Sequence, residues 1–287
     1  ARRQDAIVGH GSCNDRVMSA TDQEHVETVL CDLDGVVWLA HEPIAGSVDA
    51  IARLRASGRR VLFVTNNSAA VEAEHERALE AIGVPAGGDV VSSAMAAALL
   101  VEPGARVLAA GGPGVVEALE RRGAEVVLND GAVSPEGFDA VVVGLHREFD
   151  FARLAVASAA VRHGAELIGT NTDSTYPTPT GLQPGGGAIL AAIATAADAT
   201  PRIGGKPHQP MADLIASVVG TSDRPFDPGR TVMVGDRPET DGLFARRLGC
   251  RFALVRSGVS RPGAAVADVD LDVSDLAALV SRVMPTL

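Results

Sequence analysis

From Thr28 onward, short apolar runs of strand length alternate with longer stretches whose apolar residues recur at helical spacing. A short run buried on both faces suits a strand of a parallel sheet. The amphipathic stretch after it suits the crossover helix that returns the chain to the same edge. The pattern predicts strands at Arg60–Thr65, Arg106–Ala110, Glu125–Leu128 and Arg251–Val255, and helices at Ser47–Ala56 and from Gly187 to about Ala197. It also predicts a strand over Thr28–Leu33 and a helix over Asp241–Leu248. Glycine- and proline-containing breaks at 83–88 and 199–205 divide the series. The expected organisation is an α/β protein with a Rossmann-like, doubly wound parallel-sheet core formed by residues 21–84 and 203–287. Residues 85–202 form an inserted α/β cap, and residues 1–20 are read as a disordered or non-native tail.

Composition removes several classes of function. With 287 residues and 46% apolar content the chain can bury a sizeable core, and its 3% aromatics leave the packing to small aliphatic residues. A formal net charge of −11 argues against a nucleic-acid surface. No apolar run reaches the roughly 18 residues of a membrane span, and the N-terminal stretch lacks the apolar segment of a signal peptide. Cys13, Cys31 and Cys250 are odd in number and lack disulfide or zinc spacing, which fits packed thiols in a reducing, cytoplasmic setting.

The polar residues that carry chemistry stand at predicted strand ends. In a doubly wound sheet ligands collect outside the carboxyl ends of the strands. Asp32 and Asp34, spaced by two and followed by Gly35, put two carboxylates on one side of an extended segment. One could attack an electrophile while the other moves a proton, or the pair could be a solvated turn. Thr65 and Asn66 offer a hydroxyl and amides for phosphate oxygens, or an ordinary strand-to-helix cap. Asp236 adds a third carboxylate, whose repulsion with the other two calls for a divalent cation such as Mg²⁺. Asp241 either orders that site or favours a helix N-terminus. Of 25 basic residues only Lys206 is a lysine, so an otherwise arginine-using chain keeps a compact ammonium at one place. Gly185–Gly187 fits a helix entry or a substrate contact, and Asn171 and Asp173 fit a turn or a substrate contact.

D-x-D-G at Asp32, T-N-N-S at Thr65, G-K-P at Lys206 and G-D-R-x-x-T-D at Asp236, in this order, resemble the haloacid dehalogenase-like superfamily. The nearest pattern is that of its NagD-type branch, which includes p-nitrophenyl phosphate, pyridoxal phosphate, phosphoglycolate and glycerol phosphate phosphatases. The resemblance runs from about Val29 to Val259. It implies Asp32 as nucleophile and metal ligand, and Asp34 as general acid and base with its carbonyl on the metal. It implies Thr65, Asn66 and Lys206 as the phosphate-binding group, Asp236 as the third Mg²⁺ ligand and Asp241 as its support. The inserted region becomes a C2-type cap that selects the leaving group, with Asn171 and Asp173 as candidate substrate contacts and a homodimer through the cap as a further expectation. The implied activity is Mg²⁺-dependent hydrolysis of small phosphate monoesters through an aspartyl-phosphate. A phosphotransferase of the same fold, or a non-catalytic phosphate-accepting domain, uses similar residues.

Overall fold

The structure is a computed structural model that describes residues 26–178, 181–260, 266 and 268–283. The expected tail at 1–20, with Cys13, lies outside the described residues. In chain order the strands are β1 (Thr28–Cys31), β2 (Trp38–Leu39), β3 (Glu42–Pro43), β4 (Arg60–Thr65) and β5 (Val90–Ser92). Next come β6 (Arg106–Ala110), β7 (Glu125–Leu128), β8 (Ala140–Val143), β9 (Glu166–Gly169), β10 (Thr175–Thr178), β11 (Gly181–Pro184) and β12 (Arg202–Ile203). The series closes with β13 (Thr231–Gly235), β14 (Arg251–Val255) and β15 (Leu271–Val273).

Six strands form the core sheet in the order β15-β14-β13-β1-β4-β5, every neighbouring pair parallel. The chain enters at β1, builds outward through β4 and β5, and comes back after the insertion to build the other half from β13. The strand order therefore reverses between β1 and β13, which places the topological switch point at the ends of those two strands. Alternate side chains feed two apolar layers. Val29, Cys31, Val61, Phe63, Val232 and Val234 face one layer, while Leu30, Leu62, Val64 and Met233 face the other. Period-two alternation with both faces buried is why these runs read as continuous apolar segments. Each large side chain so buried contributes roughly 1.5–3 kcal/mol.

The insertion is a second parallel sheet in the order β12-β9-β8-β6-β7. Helices Ser93–Ala98 and Pro113–Arg122 supply the layer containing Val107, Ala109 and Val142. Helices Phe151–Arg162 and Gly186–Ala197 supply the layer containing Leu108, Val141 and Val143. Alanine at Ala94, Ala97, Ala157 and Ala160 lets these helices sit close to the sheet. The molecule is thus an α/β protein with a Rossmann-like core and an inserted α/β cap.

Several expectations need correction. The core does not stop at residue 84, because β5 pairs with β4 in the core sheet through Phe63–Val90 and Thr65–Ser92. The cap does not stop at 202, because Ile203 pairs with Gly169 of β9. Both strands are too short for periodicity to reveal, as is β15. The first strand ends at Cys31 rather than Leu33, since the chain turns so that Asp34 bridges Trp38. The helix expected from Asp241 begins at Leu243, after a wide turn over Pro238–Gly242.

Candidate active site

The switch point gathers the carboxylates. Asp32 follows β1, its N–H donating to the Val234 carbonyl of β13 at 2.9 Å. Asp236 follows β13, and Thr65 ends β4. Lys206 arrives on the return from the cap. Its Nζ lies 2.9 Å from Asp32 Oδ1 and 2.7 Å from Asp241 Oδ1, and only 1% of its side chain is exposed. The solitary lysine is therefore a buried cation between two buried carboxylates. Burial alone would lower its pKa, but Asp241 and Asp32 outweigh that and raise it, so the ammonium stays charged. For Asp32 the balance falls the other way: burial, reinforced by Asp241 and Asp236, holds it well above the ordinary carboxylate range despite Lys206.

Asp34 lines the same pocket, and its Oδ1 accepts a 3.1 Å hydrogen bond from Trp38 Nε1. Burial raises its pKa, with His41, Trp38 and Arg237 opposing. Thr65 is buried, and its Oγ1 accepts the Asn67 N–H at 3.0 Å. Asp241 is tied at both oxygens, to Lys206 Nζ and to the Arg237 N–H at 3.2 Å.

Asp236 tests whether a metal fits. Its Oδ2 accepts the Val259 N–H at 2.7 Å, whereas its Oδ1 is buried with no hydrogen-bond partner among the described residues. Burial, with Asp241 next, pushes its pKa up to about 7. Asp32, Asp236 and Asp241 each offer an oxygen, all within 4.8 Å of one another. An orphaned buried carboxylate oxygen in an all-oxygen cluster is the donor set a hard cation such as Mg²⁺ takes. Asp34 is not in that carboxylate cluster.

Glycine makes room for this arrangement. Gly35 has φ +87°, and a Cβ there would stand 2.5 Å from Asp236 Oδ2. A Cβ on Gly258 would stand 1.9 Å from the same oxygen. Gly258→Ala is therefore expected to displace Asp236, weaken Mg²⁺ binding at least about 10-fold and destabilise the protein by about 1–3 kcal/mol. Metal titration by calorimetry and thermal melting check this.

Asn66 is placed differently from expectation. Its side-chain amide is occupied by Lys206 and Asp173, so only its main-chain N–H is left for an anion. Asn171 and Asp173 reach Asn66, and both also line the pocket. Gly185 and Gly186 form the helix entry, at the start of Gly186–Ala197, and they also line the pocket. Pocket residues that sequence reasoning missed include Ser68, Leu145, Tyr176, Arg237 and Thr240. Tyr176 is the only tyrosine in the chain, and burial, with Asp34 adding to it, pushes its pKa up to about 12.

Comparison with known families agrees with this geometry. Residues 29–125 match the haloacid dehalogenase-like hydrolase family, and residues 203–279 match a second, HAD-hydrolase-like model. The chain is 33% identical over 258 residues to glycerol-3-phosphate phosphatase of Gallus gallus, covering 82% of this chain and 81% of that protein. It therefore belongs to the haloacid dehalogenase-like hydrolases. Among solved structures it is similar to a 4-nitrophenylphosphatase from Thermotoga maritima, with TM-score 0.81, 28% identity, and coverage of 93% of this chain and 100% of that one. It is also similar to a glycerol phosphate phosphatase from Mycobacterium tuberculosis in complex with magnesium, with TM-score 0.78, 32% identity, and coverage of 90% and 77%.

Proposed function

We propose that the protein is a Mg²⁺-dependent phosphatase that hydrolyses small-molecule phosphate monoesters through a phosphorylated Asp32. The observation that carries this is Asp32 clamped by Lys206, with Asp34 lining the same pocket and the unpartnered Oδ1 of Asp236 in the carboxylate cluster with Asp32. Lys206 fixes the plane of the Asp32 carboxylate and offsets negative charge as the phosphoryl group arrives. An Asp32 oxygen forms a bond to phosphorus while the bond from phosphorus to the ester oxygen breaks. Asp34, whose pKa burial raises, acts in its protonated form and delivers that proton to the departing oxygen. Asp34 then takes a proton from water, the water oxygen bonds to phosphorus, and the bond to Asp32 breaks, releasing inorganic phosphate and restoring the Asp32 carboxylate and the protonated Asp34. Thr65 and the Asn66 N–H hold phosphate oxygens during both steps. Mg²⁺, held by Asp32, Asp236 and the Asp34 carbonyl, would neutralise charge on the carboxylates and the phosphate.

Leu145, Tyr176 and Gly186 of the cap line the pocket, which supports a role for the cap in limiting the leaving group. The relatives named for glycerol phosphate and nitrophenyl phosphate support small, polar or aromatic leaving groups. Exposed Leu128 and Phe151 on the cap support a homodimer through that domain. No described helix is long and apolar enough to cross a membrane, and the acidic charge and unpaired cysteines support a cytoplasmic setting.

The test is release of inorganic phosphate from glycerol phosphate, p-nitrophenyl phosphate, phosphoglycolate, pyridoxal phosphate and nucleoside monophosphates, with Mg²⁺ and after chelation. Release from at least one ester, falling about 100-fold or more on chelation, is expected. Folded protein that releases phosphate from none of them, but moves it to an added sugar, would establish transfer instead.

A further inference from the structure

Asn66 is held from three directions by residues far away in sequence. Its Oδ1 accepts the Lys206 N–H at 3.0 Å, and its Nδ2 donates to the Lys206 carbonyl at 3.1 Å. This two-way pairing makes the Asn66 amide a short bridge to the main chain of Lys206. The second hydrogen of Nδ2 goes to Asp173 Oδ2 at 3.1 Å. The Asn66 carbonyl accepts from Asn171 Nδ2 at 2.7 Å and from Ser93 Oγ at 2.8 Å. Asn171 Oδ1 in turn accepts the Asp173 N–H at 3.0 Å, locking the two cap residues together. Beside them Ser68 Oγ and Thr170 Oγ1 meet at 2.9 Å, both fully buried.

We propose that Asn171 and Asp173 are positioning residues that link the seating of the cap to the active site. They fix Asn66, and through its amide the main chain of Lys206, whose ammonium holds Asp32. The effect on rate rests on the phosphatase reading; the effect on Lys206 does not. Both Nδ2 hydrogens of Asn66 are used and its Oδ1 accepts from Lys206, so losing Asp173 frees an Nδ2 hydrogen and lets the amide rotate away from Lys206. The hydrogen bonds are made only when the cap lies against the core, because Asn171 and Asp173 follow β9 of the cap sheet while Asn66 follows β4 of the core. A small misplacement of a charge-stabilising group is enough to slow chemistry about 10- to 100-fold.

The experiment compares Asp173→Ala with Asp173→Asn, because asparagine keeps an oxygen that can accept from Asn66. Asp173→Ala is expected to lower kcat about 10- to 100-fold, with the same factor for glycerol phosphate, phosphoglycolate and p-nitrophenyl phosphate. Asp173→Asn is expected to stay within about 3-fold of the parent. Independently of turnover, hydrogen exchange at the Lys206 amide should quicken about 10-fold in the alanine variant and stay slow in the asparagine variant. Asn171→Ala, which leaves Ser93 on the Asn66 carbonyl, provides a second reading if Asp173→Ala fails to fold, with faster Lys206 exchange again expected. Unchanged exchange and rate in the alanine variants would overturn the proposal. So would losses that differ among leaving groups and are as large for asparagine as for alanine, since those mark direct substrate contact. If the parent protein releases no phosphate while the exchange pattern holds, the phosphatase reading fails and the linkage to Lys206 stands.

Discussion

Asp32→Asn is expected to cut phosphate release by about 10⁴-fold or more, because an amide offers no anionic oxygen to attack phosphorus. The fold should not suffer. Asparagine is nearly isosteric, its Oδ1 can still accept from Lys206, and Lys206 keeps Asp241 at 2.7 Å. The substitution also removes a carboxylate that burial, Asp241 and Asp236 together hold well above its ordinary pKa. The metal-free variant should therefore melt at or above the temperature of the parent at neutral pH. Phosphate release, thermal melting and intact-mass detection of a trapped phosphoryl group separate the parts of this expectation. Activity near that of the parent would remove Asp32 from the role of nucleophile. A large fall in melting temperature would mean that the charge of Asp32 is needed to hold Lys206 in place.

The sequence carried much of this site because its carboxylates stand at strand ends and its motifs follow a recognisable order; the rare residues turn out to lie there as well. The single lysine, tryptophan and tyrosine all bear on one pocket: Lys206 clamps Asp32, Trp38 donates to Asp34, and Tyr176 is among the lining residues. Only the lysine stood out beforehand, since its glycine-flanked position agreed with the strand-end carboxylates. The longer strands were legible because period-two burial on both faces leaves runs such as Val61–Val64 wholly apolar. β5, β12 and β15 were not, because two or three residues carry no period and their place is set by the neighbouring strand. The same limit hid the role of the Asn66 side chain. Its partners, Asp173 and Lys206, lie 107 and 140 residues away, and nothing local distinguishes an amide facing phosphate from one facing a main chain.

Lys206→Met tests the other half of the charge arrangement. Methionine matches the length of the stem and supplies no charge. Removing one member of a buried ionic cluster costs about 3–5 kcal/mol, or about 10 °C in Tm for a chain of this size. Turnover should fall about 10³-fold, because the developing charge loses a preorganised cation. The stability gap should also depend on pH, with a sign the geometry fixes. In the metal-free protein Asp32 and Asp236 have folded pKa values above their unfolded ones, Asp236 at about 7. Such groups contribute stability that is fully present below the unfolded value of about 3.9 and is lost as pH rises through the folded value. Lys206 opposes the rise at Asp32, and its own raised pKa keeps it charged throughout this range. Without it Asp32 moves further up, so the variant should be close to the parent near pH 5 and fall behind toward pH 8. Saturating Mg²⁺ should narrow the gap at pH 8, because a cation shared by Asp32 and Asp236 relieves the same repulsion, while activity stays low. Metal-free melts at both pH values, repeated with Mg²⁺, check each step. A gap of equal size at pH 5 and pH 8 would place the loss in packing around the lysine stem rather than in the unpaired carboxylates.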